Sequence, residues 1–265
     1  MLPQLEQAID TWEQWKQPIC TAPQVKERLM GGLTNVSFHV EAGGHAYVIR
    51  VHNPKSRLLG IHRDREAKIL WALSGSGIAP EPVYFDEAEK FSVLKYVPGR
   101  AWTEEDLNRE GNRARLRELI DTYQSVPVPI VAIDYIAYLD QYWSAFTKVS
   151  PRAAETNFQR WNVFRNKLRS YQVQNTRRHL VHHDLVPQNI IEDDNGLRLI
   201  DWEYASLGYA ELDYLYLGLN LNNMQKTADQ ARDSSVLIEL YRWLSELWRA
   251  IQSQQIAGHA DLNND

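Results

Sequence analysis

The sequence LVHHDLVPQNIIEDDNGLRLIDWEYA, residues 180–205, contains the most specific pattern in the chain. It places His182, Asp184 and Asn189 in the order H-x-D-x-x-x-x-N, and Asp201 follows twelve residues after Asn189. A single His-x-Asp is a weak signal, but the full order followed by a turn and a further acid is specific. The segment therefore predicts a site built from two carboxylates and one amide.

The second half of this segment has the pattern of a β-hairpin. Two apolar runs, residues 190–191 and 197–200, flank Asp-Asp-Asn-Gly at residues 193–196, which is a strong turn signal. A tight hairpin would fold Asp201 back toward Asn189. The alternative is a surface hairpin with scattered acidic residues. It is disfavoured because the histidine, the two aspartates, the asparagine and the turn would all have to fall at these spacings by chance.

These residue types suit phosphoryl transfer to an alcohol. That reaction needs an acceptor for the hydroxyl proton and oxygen ligands for the magnesium ion that neutralises the triphosphate. Asp184 would accept the proton, while Asn189 and Asp201 would bind the metal.

Upstream of the segment, the residue pattern predicts a lobe of strands with one long helix. Short alternating runs indicate strands, and apolar residues at helical spacing indicate helices. The expected elements are a first helix that ends at Pro18, a hairpin between residues 28 and 51 that turns at Gly43-Gly44, a helix at residues 63–73, and strands at residues 80–86 and 91–97.

Beyond Pro98-Gly99 the helical pattern dominates, with helices predicted at residues 104–124, 134–148 and about 227–252. We therefore expect an α+β fold of two lobes. An N-terminal lobe, residues 1–97, would contain an antiparallel sheet and a helix. A mainly helical C-terminal lobe, residues 98–265, would contain the catalytic loop and the acceptor pocket.

The composition excludes several classes of protein. A net charge of −5 gives no basic stripe for nucleic acid. The only cysteine, Cys20, allows no intramolecular disulfide, which favours a reducing compartment such as the cytoplasm. No signal peptide or membrane span is predicted at the N-terminus. A small molecule is the expected partner, without nucleic acid or membrane, and the oligomeric state is left open.

The central segment resembles the catalytic loop of protein kinases, with His183 where they usually carry Arg and Asp201-Trp202-Glu203 where they carry Asp-Phe-Gly. It is more similar to the aminoglycoside phosphotransferase and choline kinase superfamily, and IDWEYA is most similar to choline, ethanolamine and thiamine kinases. The resemblance implies a two-lobed protein-kinase-like fold and ATP and Mg as cofactors. It also implies that His182 bonds the backbone around the metal acid, and that Glu203 holds metal through water or orients the loop.

The same resemblance implies a set of nucleotide-binding residues in the N-terminal lobe. Glycines let backbone N–H groups approach phosphates, a strand arginine paired with a helix glutamate can bind them, and the hinge backbone binds adenine. The implied residues are Gly31, Gly32, Thr34 and Asn35 in the phosphate loop, Arg50 with Glu66, and Lys95, Tyr96 and Val97 in the hinge. Taken singly, the two glycines could be an ordinary turn and the charges a solvated surface.

The acceptor is expected to be a small cationic alcohol of the thiamine or choline/ethanolamine class. LDQYW, residues 139–143, resembles bacterial thiamine kinases, and an aromatic stripe can hold a cation on its ring faces. Core packing is the favoured alternative for that stripe. Candidate acceptor residues are Tyr142, Trp143, Trp202 and Asp213. An aminoglycoside or other small-molecule kinase and a nucleotide-binding pseudokinase remain alternatives.

Overall fold

The computed structural model describes residues 2–17, 19–30, 34–217 and 228–260. Its helices are α1 (Pro3–Asp10), α2 (Arg63–Leu73), α3 (Glu104–Leu107), α4 (Glu110–Gln124), α5 (Tyr135–Val149), α6 (Pro151–Gln174), α7 (Glu211–Tyr216) and α8 (Ala228–Ala260). Its strands are β1 (Gln24–Leu29), β2 (Asn35–Ala42), β3 (His45–His52), β4 (Pro82–Phe85), β5 (Phe91–Lys95), β6 (Arg100–Ala101), β7 (His179–Val181), β8 (Ile190–Asp193), β9 (Gly196–Leu199) and β10 (Ser206–Gly208).

The chain divides into two compact units. The first contains Met1–Ile130 and His182–Ser206, and the second contains Val131–Val181 and Leu207–Asp265. The units do not divide the chain between residues 97 and 98, where the sequence predicts the lobe boundary, and that boundary stays a prediction. Within the described residues, no helix combines the length and the apolar character that a membrane span requires.

The first unit is built on an antiparallel sheet, as the sequence predicts, and its strand order is β1-β2-β3-β5-β4. Strands β2 and β3 pair through Ala42 and His45. Between them Gly43 and Gly44 have φ values of 57° and 80°, which match a two-residue type I′ turn and explain why glycine occupies both positions. The predicted hairpin is confirmed.

One face of this sheet packs on the N-terminal segment. Leu5 and Ala8 of α1 and the following Trp15 are buried in the same cluster as Tyr47 of β3 and Val93 of β5. Burying a side chain the size of leucine stabilises the fold by about 1.5–3 kcal/mol. The N-terminal segment thus stabilises the sheet by covering one of its faces.

The first helix is shorter than predicted. It ends at Asp10, and a 3-10 turn follows at residues 12–14, whereas the sequence predicts helix as far as Pro18. Thr11 explains the early end, because its hydroxyl donates to the carbonyl oxygen of Ala8 at 2.9 Å and its N–H donates to Gln7. Pro18 itself lies outside the described residues.

The predicted helix at residues 63–73 is confirmed as α2. It buries Ile69, Leu70 and Leu73, and also two charged residues of its first turn, Arg63 and Glu66. Burial of charges at one end of a helix requires partners, since an unpaired buried charge is costly. The N-terminal end of α2 therefore indicates where the functional site lies.

The hairpin after the catalytic loop is also confirmed. Strands β8 and β9 pair with Asp193 opposite Gly196, and β6 joins β8 on its other side. Just before β6, Gly99 has a φ of 129°, and a Cβ built on it would lie 2.5 Å from the carbonyl oxygen of Glu192. Only glycine allows this close approach of the chain to β8.

Two helix predictions need correction. Residues 104–124 form two helices: the Thr103–Asp106 capping box begins α3, which ends at Leu107, and α4 begins at Glu110. In the second unit α5 begins after the N-cap Asp134, close to its predicted start, but α6 was not predicted. Helix α8 extends to Ala260, beyond the predicted end.

Candidate active site

A cleft of about 470 Å³ lies in the first unit. Its walls come from the sheet, from the segment that follows β5, and from the region around the β8–β9 hairpin. The lining residues are Leu29, Met30, Asn35, Ser37, Val48, Arg50, Pro80, Leu94, Lys95, Tyr96, Val97, Gly99, Ala101, Gln188, Asn189, Ile191, Ile200 and Asp201. The structure thus brings seven of the sequence-predicted site residues to one cavity: Asn35, Arg50, Lys95, Tyr96, Val97, Asn189 and Asp201.

His182 holds the start of the catalytic loop against the segment that precedes Asp201. Its Nε2 lies 3.0 Å from the carbonyl oxygen of Ile200, and because a carbonyl only accepts, that nitrogen must carry the proton. The ring is fully buried, and burial lowers the pKa of His182 to about 4. His182 is therefore a neutral positioning group, consistent with the role that the resemblance implies.

Asp184 and Asn189 are joined directly. The Asn189 side-chain nitrogen donates to the Asp184 backbone oxygen at 2.9 Å and to its carboxylate at 3.2 Å. This leaves the Asn189 side-chain oxygen as the atom that could bind a cation. Burial, followed by the charges of Asp201 and Glu203, raises the pKa of Asp184 to about 7. A carboxylate with such a pKa suits a general base near neutral pH.

The hairpin returns Asp201 to this pair. The Ile200 N–H donates to the Asn189 carbonyl oxygen at 2.9 Å, and Asp201 then adopts a left-handed conformation with a φ of 65°. His183 is also left-handed, with a φ of 63°. Such conformations cost a non-glycine residue about 1–3 kcal/mol and occur mainly at functional sites. Burial and the neighbouring Glu203 raise the pKa of Asp201 to about 7, although Arg50 opposes this.

Arg50 connects the sheet to the helix and to Asp201. It forms a hydrogen-bonded ion pair with Glu66 and donates to Asp201 Oδ1 at 2.6 Å and to Glu203 at 3.2 Å. Burial alone would raise the pKa of Glu66, but Arg50 and Arg63 lower it to about 2, so Glu66 is anionic. The two residues that the sequence pairs are thus in contact, and Arg50 also reaches Asp201.

Glu203 accepts hydrogen bonds from four residues between Thr34 and Arg63. Its two oxygens accept from Thr34, from Asn35 at 2.6 Å and from Arg63 at 3.0 Å, in addition to Arg50. Sequence reasoning missed Arg63. The available signal was its position three residues before Glu66, which places both side chains on one face of a helix.

The predicted phosphate loop is described only in part. Gly31 and Gly32 lie outside the described residues. Thr34 and Asn35 are buried, and their side chains turn to Glu203. In this structure they anchor the end of the loop.

At the end of β5 and directly after it, two backbone donors are already used. The Lys95 N–H donates to Glu81 at 2.8 Å and the Tyr96 N–H donates to Ala46 at 3.0 Å. Val97 follows them along the wall of the cleft.

Three of the four candidate acceptor residues are buried. Trp202 is 1% exposed and donates its indole N–H to Leu199 at 2.7 Å. In the second unit, Tyr142 and Asp213 are 2% and 0% exposed. Trp143 stacks on Trp161 at 4.8 Å between ring centroids. These positions support the core alternative for the aromatic stripe, and a substrate role for them stays a prediction.

The chain matches known proteins over most of its length. A family model described as Choline/ethanolamine kinase matches residues 26–258. The acyl-CoA dehydrogenase family member 11 of Rattus norvegicus is 26% identical over 71% of this chain, which spans only 27% of that protein. The thiamine kinase of Shigella boydii is 25% identical over 83% of this chain and 74% of its own length.

Solved structures confirm the protein-kinase-like fold. The choline kinase LicA from Streptococcus pneumoniae has a TM-score of 0.65 at 19% identity, covering 88% of this chain and 87% of LicA. The streptomycin-ATP complex of APH(2")-IIa has a TM-score of 0.58 at 17% identity, covering 98% of this chain and 94% of that one. At these identities the likeness concerns the fold.

Proposed function

The chain belongs to the choline/ethanolamine kinase family, and from that premise we propose that it transfers the γ-phosphoryl group of ATP, with magnesium, to the hydroxyl of a small alcohol. The acceptor is a cationic alcohol of the thiamine or choline/ethanolamine class.

The observation that supports this proposal is that Asn189 and Asp201 line the cleft and that Asp184 is hydrogen-bonded to Asn189. Asn189 is hydrogen-bonded to Asp184, and the Ile200 N–H donates to Asn189, so that Asp201 follows immediately. One carboxylate of raised pKa beside an amide oxygen and a second carboxylate is what phosphoryl transfer to an alcohol requires.

Asp184 acts as the base. Its carboxylate accepts the proton of the acceptor hydroxyl as the oxygen approaches phosphorus, and its pKa of about 7 lets it hold that proton at neutral pH. Asn189 fixes the orientation of Asp184 through two hydrogen bonds. His182 keeps the loop in place through Ile200.

The donor set suits magnesium. An amide oxygen from Asn189 and a carboxylate from Asp201 fit an ion that keeps waters and takes its remaining ligands from phosphates. When bound, the ion would neutralise the charge on the triphosphate. Arg50, now paired with Asp201 at 2.6 Å, would turn to the phosphates once a cation takes its place. Glu203 was predicted as a further metal group, but its oxygens already accept from four residues, which favours the orienting role.

The adenine ring is placed by the segment after β5. Because the Lys95 and Tyr96 N–H groups already have acceptors, Val97 is the donor for the adenine edge. The apolar walls of the cleft, among them Val48, Leu94 and Ile191, enclose the faces of the ring.

The proposed class of acceptor is inferred from the names of the family and of the similar proteins. The family name gives choline and ethanolamine, and the relative from Shigella boydii is named a thiamine kinase. Aminoglycosides are the alternative, because APH(2")-IIa shares the fold.

A coupled assay of ADP release tests the proposal. Purified protein with ATP and Mg²⁺ is given choline, ethanolamine, thiamine, an aminoglycoside and an uncharged alcohol in separate reactions, with a no-acceptor control. We expect ADP release above the control with one of the cationic alcohols. Activity with a neutral acceptor alone would keep the kinase chemistry and remove the cationic class. Failure to bind Mg·ATP in a direct titration would contradict the proposal as a whole.

A further inference from the structure

Four charged side chains are buried together beside the cleft. The exposed fractions of the Arg50, Arg63, Glu66 and Glu203 side chains are 8%, 4%, 0% and 2%. Two arginines and two glutamates balance in charge, and Asp201 adds one further negative charge at the rim. A cluster this deeply buried persists only if each charge is paired and hydrogen-bonded.

Arg63 joins three elements within the cluster. From the start of α2, its Nη1 donates to Glu66 at 2.8 Å and to Glu203 at 3.0 Å, and its Nη2 donates to Asn35 at 2.7 Å. Asn35 begins β2, directly after the phosphate loop, and Glu203 lies two residues after the predicted metal ligand Asp201. A planar guanidinium with fixed donors suits this three-way contact, and a lysine could not reproduce it.

Glu203 has little capacity left for a cation. Its Oε1 accepts from the Thr34 hydroxyl, and its Oε2 accepts from Asn35, Arg63 and Arg50. The side chain is also closed to solvent. A carboxylate with this set of donors ties the end of the phosphate loop to the segment that contains Asp201.

We propose that Arg63 is a positioning residue for phosphoryl transfer, which locks Glu203 between the phosphate loop and the metal-binding segment, so that Glu203 is a structural anchor and not a magnesium ligand. The inference rests on the proposed function. It adds a residue to the site and changes the role of another.

The charges explain why two arginines are needed. Arg50 alone would have to neutralise Glu66, Asp201 and Glu203, and its Nη2 already divides between Asp201 and Glu203. With Arg63 on Glu66 and Glu203, Arg50 can turn to the phosphates without leaving two buried carboxylates unpaired. Loss of the Arg63 fork should therefore weaken the binding of ATP more than that of the acceptor.

Arg63→Lys tests the contacts made by the two terminal guanidinium nitrogens of Arg63. The matched control is Arg57→Lys, which alters the exposed Arg57–Glu89 pair. We expect Arg63→Lys to raise the ATP KM by about tenfold or more, the scale of lost charged hydrogen bonds, with the acceptor KM unchanged. The control should leave both constants unchanged. Equal ATP KM values in the two variants would overturn the role of Arg63.

The role of Glu203 is tested in Glu203→Gln and Asp201→Asn by measuring the reaction rate as a function of magnesium concentration at saturating ATP. We expect the magnesium concentration that gives the half-maximal rate to shift in Asp201→Asn. In Glu203→Gln that concentration should stay at the wild-type value, and the ATP KM should rise instead. A shift in Glu203→Gln as large as that in Asp201→Asn would overturn the anchor and make Glu203 a ligand.

The wild-type titration separates the two proposals. If the wild-type protein does not bind Mg·ATP, the proposed function fails and the role of Arg63 fails with it. If the wild-type protein binds and uses Mg·ATP while Arg63→Lys behaves as its control, only the present inference fails. Should Arg63→Lys not fold, the comparison of Glu203→Gln with Asp201→Asn still decides whether Glu203 is an anchor.

Discussion

At the scale of single residues, the proposed base Asp184 should govern the pH dependence of catalysis. Its pKa is raised from 3.8 to about 7, and a general base acts only when deprotonated. We expect kcat/KM to fall about tenfold per pH unit below about pH 7, and more steeply if Asp201 must also lose its proton. His182, with a pKa of about 4, does not titrate in this range.

The measurement is a profile of kcat/KM from pH 5 to 9 at two magnesium concentrations. A nearby cation lowers the pKa of a carboxyl group, so high magnesium should move the acid limb toward lower pH. A flat profile between pH 5 and 8 would contradict the assignment of Asp184 as the base.

Arg50 is the second residue whose role can be isolated. Arg50→Lys keeps the charge and loses the fork that joins Glu66 and Asp201. We expect the ATP KM to rise about tenfold or more while the acceptor KM stays unchanged, as steady-state kinetics with each substrate varied would measure. An unchanged ATP KM in a folded Arg50→Ala variant would refute a role in phosphate binding.

The spacing of residues in the sequence identified the candidate site residues between 182 and 201, but not their buried partners. His182, Asp184, Asn189 and Asp201 follow one another within a single segment, so their spacing is visible. Arg63 and Glu203 meet across 140 residues of sequence, and no local spacing reveals such a pair. Contacts of that kind depend on how elements pack.

At the scale of elements, the approach of Gly99 to β8 should be essential for the wall of the cleft. Gly99→Ala places a Cβ 2.5 Å from the Glu192 oxygen at a φ of 129°. We expect the melting temperature to fall by about 5 °C or more, because strain of this kind costs about 1–3 kcal/mol before the clash is added.

Gly111→Ala is the matched control for that substitution. Gly111 lies in α4, and the space that an added Cβ would occupy is open, so alanine should be neutral or stabilise the helix by up to about 1 kcal/mol. Thermal denaturation of both variants measures the difference. Equal melting temperatures for the two variants would show that the close approach at Gly99 has no energetic consequence.

The aromatic stripe of α5 gives a further test at this scale. Tyr142 is buried and its hydroxyl lies 2.9 Å from that of Tyr138, so Tyr142→Leu should lower the melting temperature and leave the acceptor KM unchanged. Tyr142→Phe, which removes only the hydroxyl, is the control. If Tyr142→Leu instead raises the acceptor KM at an unchanged melting temperature, the ring belongs to the pocket.

Elements with local turn signals were predicted best. Gly43-Gly44 and the Asp-Asp-Asn-Gly turn fix two hairpins through backbone conformations that the sequence displays. Helix α6 was missed although Ala154, Trp161 and Leu168 repeat every seven residues, because only Ser150 separates it from α5. The first helix was predicted too long, since the hydroxyl of Thr11 competes with the helical pattern.

At the scale of the whole molecule, the two halves of the proposed reaction can be tested separately. Asp184, Asn189, Asp201 and Arg50 all belong to the first compact unit, whereas Tyr142, Trp143 and Asp213 belong to the second. Binding of Mg·ATP can therefore be measured without any acceptor. The chain also spans about a quarter of the length of the acyl-CoA dehydrogenase relatives.

The most direct measurement is the transfer of the labelled γ-phosphoryl group from ATP to the acceptor found in the ADP-release assay, compared between the wild-type protein and Asp184→Asn. We expect the rate to fall by about 10²–10⁴ in the variant, the scale of a lost general base, while the Kd for Mg·ATP stays unchanged. A folded Asp184→Asn protein that transfers the label at close to the wild-type rate would contradict the account.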